Sequence, residues 1–326
     1  MFILSILCKL LSILCKLLSI LYKLLSILYK LLSILCKLLS ILCKLLYIYI
    51  YIYIYIIMGV PKIVFIVPYR NREHEKLHFS IYMQYIMEDY DINDYEIYYS
   101  NQIDNKPFSR GGTKNIGFLA IKNKYPDDYK NITFVFNDVD TLPCVKNSLD
   151  YITTTGTIKH FFGFTFTLGG IFSITGGDFE KCDGFPNLYG WGLEDNAMLD
   201  RVTRNKMKID RDVFYIPGKG NDIISLTSGP MRLINDKDPS NYNLRRFNDN
   251  LTNIKNLDYT IISNKENAIK KNTNEFIINI LKFDSLLSHI AGEFYLKDIS
   301  KGSKLYPNLL QKQRTRSLWS MNRFMK

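Results

Sequence analysis

Residues 131–143 read NITFVFNDVDTLP. The run up to Phe136 is short, apolar and rich in aromatic and β-branched side chains, the pattern of a buried strand, and it ends on Asp138 and Asp140. Side chains alternate along an extended strand, which predicts that both acids point to one side. Two carboxylates at the rim of a hydrophobic sheet call for a cation. Hard divalent ions such as Mg²⁺ or Mn²⁺ take oxygen ligands and share them readily with a diphosphate. Taken alone, the same pair also suits a turn or a helix cap.

The segments upstream repeat the pattern. KIVFIVPY (62–69) reads as a buried strand, 72–89 as a helix, YEIYYS (95–100) as a second strand and 110–124 as a helix. Strand–helix alternation at this spacing predicts a parallel, doubly wound α/β sheet. Ligands of such sheets bind outside the carboxyl ends of the strands. Two charged clusters fall there: PYRNR after the first strand, with Arg70 and Arg72, and the DVD turn after the third. Arginine forks match phosphate oxygens bidentately. Arg110 precedes Gly111-Gly112 at a helix start, where backbone N–H groups can face an anion.

Further on, residues 185–201 read FPNLYGWGLEDNAMLDR. Gly190 and Gly192 flank Trp191 as a hinge would, and Glu194 and Asp195 follow at once. Acids at this point suit the positive end of a helix over EDNAMLDRV. They also suit a general base at a hydroxyl nucleophile. Neighbouring helical residues point about 100° apart, so only one of the two is expected to aim at a given proton.

These stretches occur together in one order: PxRNR, FxR…NxGF, FVFxDVDxxP, GG and GFPNxYxGWGxED. Over about Lys62 to Phe247 the chain resembles the β-1,4-galactosyltransferase family of inverting, GT-A-fold glycosyltransferases. The resemblance implies a mostly parallel, Rossmann-like sheet flanked by helices, a UDP-sugar donor, a glycan or glycoconjugate acceptor and Mn²⁺ or another divalent cation. It places Pro68, Arg70, Arg72, Phe108 and Arg110 around the UDP, Asp138 at the nucleotide sugar, and Thr167 and Gly169-Gly170 beside the donor sugar. Trp191 would stack on sugars from a mobile loop whose closure excludes water. Asp195 would be the base, with Glu194 and Asn196 on the acceptor. Asp140 would bind the metal together with Met231; where the family carries a His, Ile234, Asn235 or Asp236 falls here, and Asn235 or Asp236 would supply oxygen instead. Thr167 stands where galactosyl members often have Tyr, so UDP-GalNAc stays open beside UDP-galactose. A polypeptide N-acetylgalactosaminyltransferase-like enzyme and a non-catalytic carbohydrate-binding protein on a decayed transferase fold are the alternatives.

The ends differ from this middle. Residues 1–57 carry six lysines and no acid, and 301–326 carry seven Lys or Arg and no acid. With a net charge of +11 for the whole chain, 58–300 is left at −2, without the basic stripe that nucleic-acid binding needs. Residues 4–46 repeat the heptad LSILCKL, followed by a Tyr/Ile run. A lysine every seventh residue disfavours a membrane span. Five apolar positions per heptad exceed what a coiled-coil seam uses. The segment reads as an extension outside the functional domain or as a membrane anchor. The expected division is 1–57, a transferase domain 58–300 and a basic tail 301–326. An anchor would imply a Golgi-like type II location, its absence a soluble cytoplasmic one. Four of six cysteines lie in the repeat and no Cys/His cluster appears, so a zinc or disulfide framework is not expected.

Overall fold

The computed structural model describes residues 2–226, 231–235, 248–264, 274–286 and 294–298. The chain divides into two compact units, 1–59 and 60–326. The first is helix α1 (Phe2–Met58), whose 57 residues extend about 85 Å at the usual rise. A heptad falls short of two full turns by 20°, so Lys16 to Lys44 form one slowly winding stripe, with a serine in each heptad, on an otherwise apolar, exposed cylinder. Its Ile13–Ile50 portion, of mean hydropathy 2.1, is long and apolar enough to cross a membrane.

The second unit is built on β1 (Ile63–Tyr69), α2 (Glu73–Ile86), β2 (Tyr95–Gln102), α3 (Arg110–Lys124) and β3 (Thr133–Asn137). β1 pairs in parallel with both β2 and β3, and all seven of its residues are buried, as a strand covered on both faces must be. Its side chains alternate between two cores. Phe65 and Val67 pack towards Phe79 and Met83 of α2. Ile66 meets α3, where a Cβ on Gly117 would stand 2.6 Å from the Ile66 Cγ2. The two crossover helices therefore lie on opposite faces, as right-handed connections require when one runs from β1 out to β2 and the next runs back from β2 past β1 to β3. On the α3 face Phe118, Phe134, Phe136, Phe172, Phe179 and Phe185 form one aromatic cluster, with Phe136 and Phe179 centroids 4.6 Å apart.

The sheet has the parallel core that was expected and is mixed towards its edges. β4 (Thr141–Pro143) leaves the main sheet to pair with β8 (Ile223–Ser225). The chain returns through β5 (Thr157–Phe162), β6 (Ile171–Thr175), helices α4 (Gly176–Lys181) and α5 (Glu194–Arg204), and β7 (Lys208–Asp210). β9 (Met231–Asn235) pairs with β12 (Phe294–Asp298), and β10 (Lys255–Ser263) with β11 (Glu275–Asp284). The eight-stranded order is β10-β11-β2-β1-β3-β6-β5-β7. β6 runs antiparallel to β3 because no helix separates them in a crossover: the chain reaches β6 by way of the β5 hairpin. The parallel core β11-β2-β1-β3 holds the site at its carboxyl edge.

Local boundaries also move. α2 ends at Ile86, short of 89, and β3 ends at Asn137. The two acids thus stand beyond the strand, in a turn. The Asn137 amide donates to the carbonyls of Asp138 and Thr141, both at 2.8 Å, and closes the chain before extended pairing can continue.

Because Gly117 lets α3 lie on β1, Gly117→Leu should overpack that contact and lower stability by about 1–3 kcal/mol. A urea unfolding midpoint unchanged from wild type would contradict the packing.

Candidate active site

Arg110 occupies the first position of α3, just after Ser109, whose hydroxyl caps the helix by accepting from the Gly112 amide. From there its guanidinium reaches three carboxylates. Nη2 donates to both oxygens of Asp138 at 2.6 Å, and Nη1 donates to Glu194 Oε1 and Asp195 Oδ2, each at 2.7 Å. The acid of the β3 turn and the acid pair opening α5 are therefore brought to one point, although 56 residues separate Asp138 from Glu194.

The segment Leu168–Gly170 fits between them. The Leu168 amide donates to the Asp195 carbonyl at 2.9 Å, and the Asp138 amide donates to the Gly170 carbonyl at 3.0 Å. Gly169 must lack a side chain, because a Cβ there would stand 2.2 Å from Asp195 Oδ2. Gly170 has φ +70°, and its Cβ would meet the Phe162 carbonyl oxygen at 2.3 Å. Backbone thus comes within reach of the Asp195 carboxylate only because two glycines adjoin.

The acid pair does not diverge as helical spacing predicted. Both side chains turn to the same Arg110 nitrogen, Glu194 from a buried position and Asp195 from a partly open one. Their environments separate them electrically. Burial and the neighbouring Asp195 charge raise the Glu194 pKa, and its Oε2 has no hydrogen-bond partner among the described residues. Burial acts on Asp195 too, but Arg110 and then Lys114 outweigh it and hold this carboxyl below its ordinary value. Two acids pushed apart in this way take different chemical roles.

The arginines of PYRNR part company. Asn71, with φ +51°, turns the chain sharply after β1. Arg72 bridges Asp140 at 2.9 Å and Glu75 at 2.9 Å. Arg70 instead donates to the carbonyls of Lys106 and Asp104 and braces the loop before α3. Pro68 is buried within β1, paired in register with Ser100. Phe108 is partly buried and its carbonyl accepts from the Gly190 amide at 2.8 Å.

Gly190 has φ +81°, a backbone that favours glycine, whereas Gly192 has no left-handed backbone. The Trp191 amide donates to the Leu233 carbonyl at 2.6 Å, which ties the turn to β9 and leaves the indole 36% exposed. Asn196 donates to the Phe166 carbonyl at 3.0 Å, and Thr167 Oγ1 donates back to the Phe164 carbonyl at 3.2 Å.

For a divalent cation the donor set is partial. No group of three His, Cys, Asp or Glu positioned to hold a metal occurs among the described residues. Asp140 commits Oδ2 to Arg72, and burial together with the Asp138 charge raises its pKa. Met231 stands on β9, 45% exposed; the Asn235 side chain and Asp236 lie outside the described residues. Among the described residues of this cluster, five carboxylates (Glu75, Asp138, Asp140, Glu194, Asp195) are joined by ion pairs to three cations (Arg72, Arg110, Lys114). That imbalance suits a divalent cation.

Sequence reasoning missed several residues that build the site. Lys114, one helical turn after Arg110, is 1% exposed and reaches Asp195 Oδ1 at 3.3 Å. The i, i+4 spacing from Arg110 was the available signal. Asn115 clasps the FPN segment, accepting from the Phe185 amide at 2.8 Å and donating to its carbonyl at 2.7 Å. His160 Nε2 lies 3.1 and 3.0 Å from the carbonyls of Phe162 and Gly169, and Arg211 Nε donates to its Nδ1 at 3.1 Å. An isolated His in a strand gave no sign of this.

A mixed sheet of this order, with arginines and acids gathered at the carboxyl ends of its parallel strands, defines the GT-A class of nucleotide-sugar transferase folds. The catalytic domain of Drosophila β-1,4-galactosyltransferase 7, solved with xylobiose, superposes with TM-score 0.53 at 22% identity, covering 68% of this chain and 94% of that one. A mutant of the same Drosophila protein, in complex with manganese, UDP-Gal and xylobiose, gives the same TM-score at 23% identity and the same coverage. Residues 58–152 match the N-terminal region of glycosyl transferase group 7, and 159–218 match the N-terminal domain of galactosyltransferase. Mouse β-1,4-galactosyltransferase 4 is 29% identical over 197 residues, 54% of each chain. Mouse β-1,4-galactosyltransferase 1 is 33% identical over 160 residues, 46% of this chain and 39% of its own. In these regions the chain is similar to the β-1,4-galactosyltransferase family. It spans about half the length, or less, of the relatives it matches.

His160 gives the site a pH signature. Burial, and secondarily Arg211, lower its pKa from 6.5 to about 4. The unfolded chain therefore binds a proton below pH 6.5 that the folded chain refuses until about pH 4, so stability falls as pH drops through that window. The full contribution is about 3 kcal/mol. His160→Gln should flatten the dependence of the unfolding free energy on pH between 6.5 and 4; an unaltered slope would exclude His160 as its source.

Proposed function

We propose that this protein is a metal-dependent, inverting glycosyltransferase that moves galactose or N-acetylgalactosamine from a UDP-sugar to a hydroxyl of a glycan or glycoconjugate. The observation that carries the reading is the meeting of Asp138 and Asp195 on one guanidinium at the carboxyl edge of the sheet. One acid lies on the strand-end turn where a donor diphosphate belongs. The other opens a helix beside a Trp-bearing turn where an acceptor can enter. The manganese and UDP-Gal held by the Drosophila neighbour, and its xylobiose, support the same division.

In this reading Asp195 is the base. It is the member of the pair held ionised, and it is partly open where Glu194 is buried. It takes the proton of the acceptor hydroxyl as that oxygen bonds to the anomeric carbon. The bond from that carbon to the diphosphate oxygen breaks on the opposite face, and UDP leaves with the electron pair. Glu194, whose pKa burial raises, hydrogen-bonds the acceptor. Arg110 and Arg72 pair with the diphosphate in place of carboxylates they hold here. Asp140, with Met231 and an oxygen donor near Asn235, would hold the divalent cation, which supplies charge neutralisation to the leaving diphosphate. Trp191 offers an apolar face to a sugar ring. The apolar surface of α1, outside its lysine stripe, supports a membrane-associated location for the same enzyme.

The reading is tested by sugar transfer and UDP release over a panel of UDP-sugars with Mn²⁺, using simple saccharides and a Ser/Thr peptide as acceptors. Transfer to a saccharide, abolished by EDTA, is expected. Transfer only to the peptide would favour the polypeptide-modifying alternative, and sugar binding without turnover the non-catalytic one. Asp195→Asn should keep UDP binding and lose about 10²–10⁴-fold in kcat. Near-wild-type kcat at saturating acceptor would place the base elsewhere.

Donor choice should depend on Thr167. A larger side chain there narrows the space beside the donor sugar, so Thr167→Tyr is expected to raise the ratio of UDP-Gal to UDP-GalNAc use. A ratio that stays at the wild-type value would remove Thr167 from the donor pocket.

A further inference from the structure

A lysine with 1% exposure is rare enough to need a reason, since its ammonium must be compensated wherever it is buried. Lys114 lies over the Phe185 ring, 4.6 Å from its centroid, with its ammonium 3.3 Å from Asp195 Oδ1 and 3.9 Å from Asp138 Oδ1. Phe185 is fully buried and is clasped by Asn115, so the platform under the lysine is fixed. Arg110 is placed differently. Its guanidinium is partly open, and it is the group that the proposed donor diphosphate would draw away.

When Arg110 turns to the diphosphate, Asp195 loses the partner of its Oδ2. The groups that still face it are Lys114 on α3, Glu194 on α5, Asp138 on the β3 turn and neutral His160 on β5. Lys114 is the cation in that set. Glu194 and Asp138 would otherwise push Asp195 towards the protonated form, in which it cannot take the acceptor's proton. The Gly169 backbone closes one side of the carboxylate, so a bond to Oδ1 also fixes its rotation.

We propose that Lys114 is a positioning residue for Asp195: a buried, permanent counter-ion that keeps this carboxylate ionised and aimed while Arg110 is engaged by the donor. This rests on the transferase reading above, but the Lys114–Asp195 pair can be measured without turnover.

The experiment uses the full-length chain with UDP and diamagnetic Mg²⁺ present, so that carboxyl signals near the cation stay sharp. Carboxyl ¹³C NMR titration, with the Asp195 signal assigned by its loss in Asp195→Asn, is compared between wild type and Lys114→Met. Methionine keeps the length of the side chain and its contact with Phe185 and removes the charge. The Asp195 titration is expected to rise by about one pH unit or more. The acid limb of kcat/KM should rise with it, a loss of about tenfold on the acid side, while UDP affinity stays near wild type. Lys114→Arg should restore most of the acid limb, and Lys114→Gln gives a second neutral variant if the methionine protein fails to fold. An Asp195 titration that does not move in either neutral variant overturns the proposal, as does an activity loss with an unshifted pH profile. A shifted titration in a protein that transfers no sugar supports the ion pair and counts against the reaction assignment alone.

Discussion

One guanidinium organises the functional edge of this protein. Arg110 holds Asp138, Glu194 and Asp195 within a single set of hydrogen bonds, and each of those acids is the anchor of a different segment. The constraint is electrostatic. Three carboxylates gathered at the rim of a hydrophobic sheet repel one another and lose hydration, and each would be driven to its neutral form without a shared cation. Arginine suits this role because its planar fork presents several donors at once and stays charged when buried. The Leu168–Gly170 backbone and Lys114 tie the β3 turn to α5 at the same junction.

The rest of the architecture serves that meeting. Gly117 lets α3 settle on β1, so that Arg110, at the start of the helix, arrives at the carboxyl ends of the strands. Gly169 and Gly170 let backbone thread between the two acidic centres. Phe185 enters the aromatic core beneath α3 and carries the Trp191 turn and the start of α5 with it. His160 and Arg211 fasten the same 163–169 loop from the other side. Packing, backbone freedom and charge pairing therefore converge on one small volume.

That volume is poised for exchange. Arg110 and Arg72 spend their donors on carboxylates, and a diphosphate with a divalent cation could replace those pairings without leaving buried charge uncompensated. Lys114, enclosed between Phe185 and the carboxylates, is built to stay where it is.

Local sequence determined much of this. The apolar runs at 62–69 and 131–136, the strand-end clusters PYRNR and DVD, the helix 110–124 and the order of the motifs all follow from periodicity and side-chain chemistry within short windows. The local signatures of buried strands and helix starts gave the doubly wound α/β core, while the GT-A class and the candidate residues came from the resemblance carried by the ordered motifs. The direction of β6 was beyond that reach, since strand pairing depends on what lies between strands in space. So was the turn that lifts Asp138 and Asp140 off β3, which Asn137 closes with its own amide. The parting of Arg70 from Arg72 and the convergence of Glu194 and Asp195 reversed local expectation, because each side chain followed a partner distant in sequence. Lys114 shows the limit most plainly: in sequence it is an ordinary helical lysine, and only the arrival of Phe185, Asp138 and Asp195 around it makes it a buried charge.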